Sequence, residues 1–187
     1  ADALGGLAIG SLLSLILIYS LLAIPLKSYV QPLIIMSVIP FGAVGAIAGH
    51  YVLDQQLVFF SALGLTALSG VVVNASLVLV DYANKRKLEG KTPIEAILGA
   101  ASIRFRPIIL TSVTTFVGLI PLMSTSTPAT APFLPMVISL AWGVLFATVI
   151  TLMLVPCLYI IIHDFVREAD SSEGEIGGLI EEPQSAG

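Results

Sequence analysis

Long uninterrupted runs of apolar residues, separated by short polar gaps, dominate the order of residues along this chain. Charged residues are absent between Asp2 and Lys27, between Lys27 and Asp54, between Asp54 and Asp81, and from Pro107 to His163. The last interval is long enough for two crossings of a bilayer. A helix rises about 1.5 Å per residue, so roughly 20 apolar residues cross a hydrocarbon layer of about 30 Å. The pattern predicts five membrane-spanning helices near 5–25, 29–53, 57–82, 107–123 and 133–162. Stretches such as Leu12 to Leu22 and Val71 to Val80 are apolar on nearly every side. A membrane barrel would alternate apolar with polar positions instead, and helices satisfy their own backbone in lipid. The expected fold class is an all-α membrane protein, with lipid as its first partner.

Composition strengthens this reading. With 57% hydrophobic and 11% charged residues, no amphipathic surface remains to face water around a soluble core. All eight Lys and Arg residues fall in alternate gaps: Lys27; then Lys85, Arg86, Lys87, Lys91, Arg104 and Arg106; then Arg167. Positive-inside bias makes that side cytoplasmic, with the start of the chain, the Asp54-Gln55-Gln56 turn and the Ser124–Pro132 loop on the other. The basic cluster follows from topology and implies no nucleic-acid partner. The chain starts without Met and without a signal-peptide pattern, which reads as a piece of a larger protein that returns to the membrane from an extracytoplasmic domain. At the far end, residues 164–187 hold seven acidic residues against Arg167 alone, and are expected to form a disordered acidic cytoplasmic tail.

Candidate chemistry is sparse. The single Cys157 excludes an internal disulfide and a multi-cysteine metal site. His50 and His163 belong at opposite membrane faces as interfacial polar residues, too far apart to share an ion. No metal, cofactor or catalytic constellation is expected, and the chain does not read as an enzyme. In the second span Gly45 and Gly49 form a GxxxG pair, with Gly42 and Ala46 on an adjacent stripe, so two helices can approach closely there. Pro40 removes a helical hydrogen bond and is expected to bend that span. Gly6 and Gly10 repeat the spacing in the first span.

Asn74, about 12 Å by helix rise from the cytoplasmic end of the third span, must face protein or water. Thr111, Ser112, Thr114 and Thr115 lie at comparable depth in the fourth, so Asn74 could bond to Thr111 or Thr115. Such bonds contribute roughly 0.6–2 kcal/mol, and serve either as structural glue or as part of an ion path. Asp81 is expected to pair with Lys85 at the interface. Thr92-Pro93-Ile94-Glu95 is a capping box that opens a short helix, 93–106. Ile94, Ile97, Leu98, Ala101 and Phe105 form one apolar face, which would lie on the interface before Pro107 starts the next span.

Several blocks, taken together and in order, resemble one family. They are Gly70-Val71-Val72-Val73-Asn74-Ala75-Ser76-Leu77-Val78-Leu79-Val80-Asp81-Tyr82, Glu89-Gly90-Lys91, Arg104-Phe105-Arg106-Pro107 running on to Ser112, Gly118 to Leu122, and Leu154 to Tyr159. They look like the second-half membrane domain of the resistance-nodulation-cell division (RND) efflux permeases, in the AcrB-like hydrophobe/amphiphile branch. The resemblance implies the last five of twelve helices of a bacterial inner-membrane pump that exports drugs or other amphiphiles in exchange for protons. It further implies a homotrimer, a periplasmic adaptor, an outer-membrane channel, and proton-carrying aspartates in the N-terminal half of the permease. A lysine of the best-known members falls on Asn74, and Arg104 and Thr111 match polar residues of the proton-relay region, with Thr115 one turn further. Ala75 departs from the Asn or Asp that follows Asn in a related branch. A sterol-sensing-like structural or sensor membrane domain is the alternative.

Overall fold

The computed structural model describes residues 2–124 and 127–180. Among them the chain is helical, with no strand: α1 (Asp2–Leu26), α2 (Gln31–Met36), α3 (Ile39–Val52), α4 (Phe59–Leu88), α5 (Pro93–Ser124), a 3-10 turn (Ala131–Phe133) and α6 (Leu134–Ile180). Five helical stretches are long and apolar enough to cross a membrane, α2 and α3 together forming the second.

The centre of the bundle is α6, which packs on α3, α4 and α5. Its inward face carries Val137, Ile138, Ala141, Val144, Ala147 and Val155, each at most 3% exposed. Leu68 of α4 stands where three helices meet: Gly42 of α3 and Gly143 of α6 both leave room for its Cδ2 methyl. By contrast, α1 docks only through its last turns, at Leu22 and Leu26, while Leu12, Ile16, Leu17 and Leu21 point away from the bundle. Nothing lies within 4 Å of where a Cβ on Gly6 or Gly10 would stand, so the first GxxxG pair has no partner helix among the described residues.

The second span is interrupted at Ser37–Val38, one turn ahead of Pro40. Pro40 has no N–H to offer the Met36 carbonyl. The chain nevertheless keeps right-handed helical angles, φ −61° and ψ −17° at Ser37 and φ −77° and ψ −23° at Val38. Hydrogen bonding resumes from Val38, whose carbonyl accepts from both Phe41 and Gly42. The interruption is a local slip in the hydrogen-bond ladder.

Two boundaries differ from the pattern-based expectation. The helix at 93–106 and the span at 107–123 are one continuous α5, with Pro107 inside it. The Thr92–Glu95 capping box does open this helix: Glu95 N–H donates to Thr92 Oγ1 at 3.3 Å, and Thr92 N–H to Glu95 Oε2 at 3.2 Å. These bonds hold the Glu95 carboxyl below its ordinary pKa, chiefly through the Thr92 backbone donor. In its first turns Ala96, Ile97 and Ala100 are completely buried, and Gly99 lets the Arg86 guanidinium of α4 approach. Ile94, Leu98 and Phe105 of the expected apolar face are half-exposed. Of the expected stripe Ile97 turns into the bundle, together with the small residues Ala96 and Ala100 beside it. At the other boundary, α6 continues through the first acidic residues to Ile180, where a disordered tail from 164 is expected. Between Pro156, which α6 carries inside it, and Pro183 the sequence has no proline, and Arg167, Glu168 and Ala169 are residue types tolerated in a helix. The rest of the expected tail, 181–187, lies outside the described residues, as do 125–126 of the Ser124–Pro132 loop.

Candidate functional site: a cavity among three helices

The described polar side chains fall into three groups at different depths. At the end carrying the Asp54 turn, His50 is 2% exposed, which places it inside the bundle and not at an interface. Its Nδ1 stands 2.9 Å from the Ala46 carbonyl, which can only accept, so Nδ1 carries the proton. Nε2 faces the Ser61 hydroxyl at 2.9 Å, joining α3 to α4. Ser61 Oγ also accepts from Val58 N–H at 3.1 Å and so caps α4.

At the Lys/Arg-rich end, three elements are tied by an amide pair that the sequence pattern does not announce. Asn84 Nδ2 donates to Gln31 Oε1 at 2.7 Å, and Gln31 Nε2 donates back to Asn84 Oδ1 at 3.2 Å. Tyr159 O–H adds a third bond to Asn84 Oδ1 at 2.9 Å. Nearby, Lys85 Nζ meets Asp81 Oδ2 at 2.7 Å, the expected pair four residues apart. It is exposed and contributes about 0.3–0.5 kcal/mol. His163 accepts from Lys87 Nζ at 3.1 Å.

Between these ends, α4, α5 and α6 line a partly open, mostly apolar cavity of about 160 Å³. Asn74 lines it from α4; Arg104, Thr111, Ser112 and Thr115 from α5; Thr148 and Thr151 from α6. All four residues assigned to the relay region by resemblance, Asn74, Arg104, Thr111 and Thr115, therefore stand around one space. They do not bond to one another as expected. Thr111 Oγ1 donates to the Pro107 carbonyl at 2.8 Å, and Thr115 Oγ1 to the Thr111 carbonyl at 2.8 Å. Back-bonding of this kind is the nearest acceptor a helical threonine has. The Asn74 amide is exposed on the bundle surface. The Arg104 guanidinium lies 5.0 Å from the centre of the Tyr82 ring, a cation–π contact, and its buried Nε has no partner among the described residues. Thr148 and Thr151 escaped sequence reasoning. Their signal is a spacing of three residues, which puts two hydroxyls on one face of an otherwise apolar span.

The helix-packing residues sit on the other side of α6. A Cβ on Gly45 would overlap Phe146 Cβ and the Trp142 carbonyl, and one on Gly49 would overlap the Trp142 side chain. A Cβ on Gly42 would stand 3.0 Å from Leu68 Cδ2. The Gly45–Gly49 pair is thus the groove in which α6 lies against α3, and Pro40 begins the same helix one turn earlier.

The described residues thus form five helical stretches long and apolar enough to cross a membrane, with hydroxyl, amide and guanidinium groups at a small cavity among three of them. The sequence pattern of the AcrB/AcrD/AcrF family matches residues 2–163, and the chain belongs to that family of RND efflux permeases. Multidrug resistance protein MdtC of Proteus mirabilis is 32% identical over 158 residues, 84% of this chain and 15% of that protein. Swarming motility protein SwrC of Bacillus subtilis is 29% identical over 94% of this chain and 17% of its own length. The crystal structure of a heavy metal efflux pump superposes with a TM-score of 0.72 at 28% identity, covering 80% of this chain and 15% of the pump chain. The chain therefore spans about one-sixth of the length of these relatives.

Proposed function

We propose that this chain is the second-half membrane portion of a proton-driven exporter of amphiphilic small molecules or drugs, in the bacterial inner membrane, with the Lys/Arg-rich ends cytoplasmic. The observation that carries the reading is the convergence of Asn74, Arg104, Thr111 and Thr115 on one cavity. Asn74 and Thr111 line the relay and hydrogen-bond to protonatable groups supplied by another part of the transporter. Thr111 Oγ1 spends its one proton on Pro107 and keeps lone pairs free to accept, while the Asn74 amide can both donate and accept. Each is therefore equipped to follow a neighbouring carboxyl through its protonated and ionised states. Arg104, held over Tyr82, supplies fixed positive charge that favours the ionised state of such a carboxyl.

The working unit is a homotrimer joined to a periplasmic adaptor and an outer-membrane channel. Cargo choice lies outside these residues: a multidrug resistance protein and a heavy metal efflux pump both match them at similar identity. No observation favours the sensor alternative. The deciding experiment is Asn74→Leu in the complete transporter, which should abolish proton-coupled efflux at normal expression. Efflux equal to that of the unsubstituted protein would remove Asn74 from the relay.

A further inference from the structure

A second cavity lies at the Asp54 end of the bundle, among the α3–α4 turn, the end of α5 and the start of α6, with a volume of about 510 Å³. Sites that hold drug-sized molecules run to roughly 300–1,000 Å³. This space admits one such molecule, whereas the cavity of about 160 Å³ at Asn74 does not. Its lining is graded with depth. Gln55, Met123 and Ser124 stand at the outer end, Ile120 one turn further in, and Phe116 and Trp142 deepest. Phe116 lies about two turns deeper on α5 than Ser124, about 12 Å by helix rise.

The deep end is pre-formed. Phe116 and Trp142 meet edge to face with ring centroids 6.1 Å apart, and Trp142 is seated against Gly49, where a Cβ would overlap it. At the outer end the turn is pinned by Asp54 N–H to Tyr51 O at 3.4 Å and Gln55 N–H to His50 O at 2.9 Å. The exposed Gln55 amide can donate and accept there, and Met123 is a flexible apolar side chain that adapts to what it touches. Charge sets the sign of the head group. Asp54, exposed beside Gln55, puts a carboxylate at this rim. The sequence has no Lys or Arg between Lys27 and Lys85 or between Arg106 and Arg167, the stretches that supply every lining residue. A cleft with a carboxylate beside it and no basic side chain draws positive charge.

We propose that this cavity is a binding site for a small amphiphilic cation, its apolar body seated on Phe116 and Trp142 and its positive head at Asp54 and Gln55. An aromatic body fits best, because rings pack edge to face or offset on the two already there. A bilayer lipid fits poorly. Each of its chains reaches through about 15 Å, half of the hydrocarbon layer, and overruns a space about 12 Å deep. Binding here is separate from the relay and from cargo choice, and it is read without transport.

The test uses the complete transporter in lipid nanodiscs, irradiated with a benzophenone that carries one trimethylammonium group, and labelled peptides are mapped by mass spectrometry. The expected result is saturable labelling at the outer ends of α5 and α6, Met123 foremost, displaced by a biphenyl carrying the same ammonium group. Labelling should fall several-fold in Ile120→Trp, which fills the space, and in Asp54→Asn, which removes the charge, with Tm unchanged in both. No saturable labelling at these helix ends, or labelling undiminished in Ile120→Trp, overturns the site. Where Ile120→Trp lowers Tm, Ser124→Trp blocks the outer end instead, and undiminished labelling in that variant overturns the site equally. A benzophenone sulfonate that labels as well as the ammonium probe, or undiminished labelling in Asp54→Asn, overturns the assignment of a cation. Displacement by phosphatidylglycerol and not by the biphenyl cation makes the occupant a lipid and also overturns the proposal.

Discussion

The contact between α3 and α6 can be broken with single carbon atoms. At Gly45 an added methyl would collide with Phe146 Cβ, and would also stand 3.0 Å from the Trp142 carbonyl. Neither obstacle is the free end of a flexible side chain, so Gly45→Ala can be accommodated only by moving the helices apart. Overpacking of this kind destabilises by about 1–3 kcal/mol, against a gain of up to about 1 kcal/mol from alanine's better helix propensity. The net expected loss is about 1–2 kcal/mol. At Gly49 the obstacles are the ring atoms of Trp142 and also its Cβ; Trp142→Ala removes the ring and keeps the Cβ, so it should rescue Gly49→Ala in part, whereas for Gly45→Ala the Trp142 carbonyl and Phe146 Cβ stay in place and no rescue is expected. At Gly42 the nearest atom is the Leu68 Cδ2 methyl at 3.0 Å, which can rotate, and Gly42→Ala should be the mildest of the three. Thermal unfolding of the detergent-solubilised transporter, followed by size-exclusion recovery after heating, ranks the variants. A Gly45→Ala protein as stable as the parent, or a Gly49→Ala defect untouched by Trp142→Ala, would refute the claim that these glycines exist to admit α6.

Two further outcomes follow from the polar ends of the bundle. Asn84→Leu removes the group on which Gln31 and Tyr159 both converge, leaving partly buried donors unmade; it should lower stability by about 1–3 kcal/mol, visible as a lower midpoint in the same heating assay. The Glu95 carboxyl, held below its ordinary pKa by its Thr92 bonds, stabilises the start of α5 above that ordinary value, and the contribution disappears as pH falls through the lowered one. Acid titration of thermal stability should therefore lose a small increment at the acid end in the parent protein but not in Glu95→Gln, and identical curves would rule the cap out as a contributor.

Membrane crossings were legible in the chain because their signal is local. Twenty apolar residues without a charge have few places to go but through lipid, and a helix is what satisfies their backbone there. The Asp81–Lys85 pair and the Thr92–Glu95 box were legible for the same reason, each being set by neighbours three or four residues apart. Asn74, Arg104, Thr111 and Thr115 could be singled out as polar groups at membrane depth or by family resemblance, since an uncharged span makes each polar residue conspicuous.

Relations between helices were decided only by the packed bundle. Which residues of the segment before Pro107 are buried, Ala96, Ile97 and Ala100, depends on the helices packed against it and not on its own pattern. The burial of His50 depends on Ser61, eleven residues away on the next helix. Likewise, the Gln31–Asn84–Tyr159 network and the Ser112–Thr148 contact join residues 36 to 75 positions apart. Sequence periodicity reports which face of a helix is polar or small, because side-chain direction follows from the helical repeat alone. Which neighbour fills that face is set by the crossing of rigid helices, and Leu68 between Gly42 and Gly143 shows how one large side chain facing two small ones settles it.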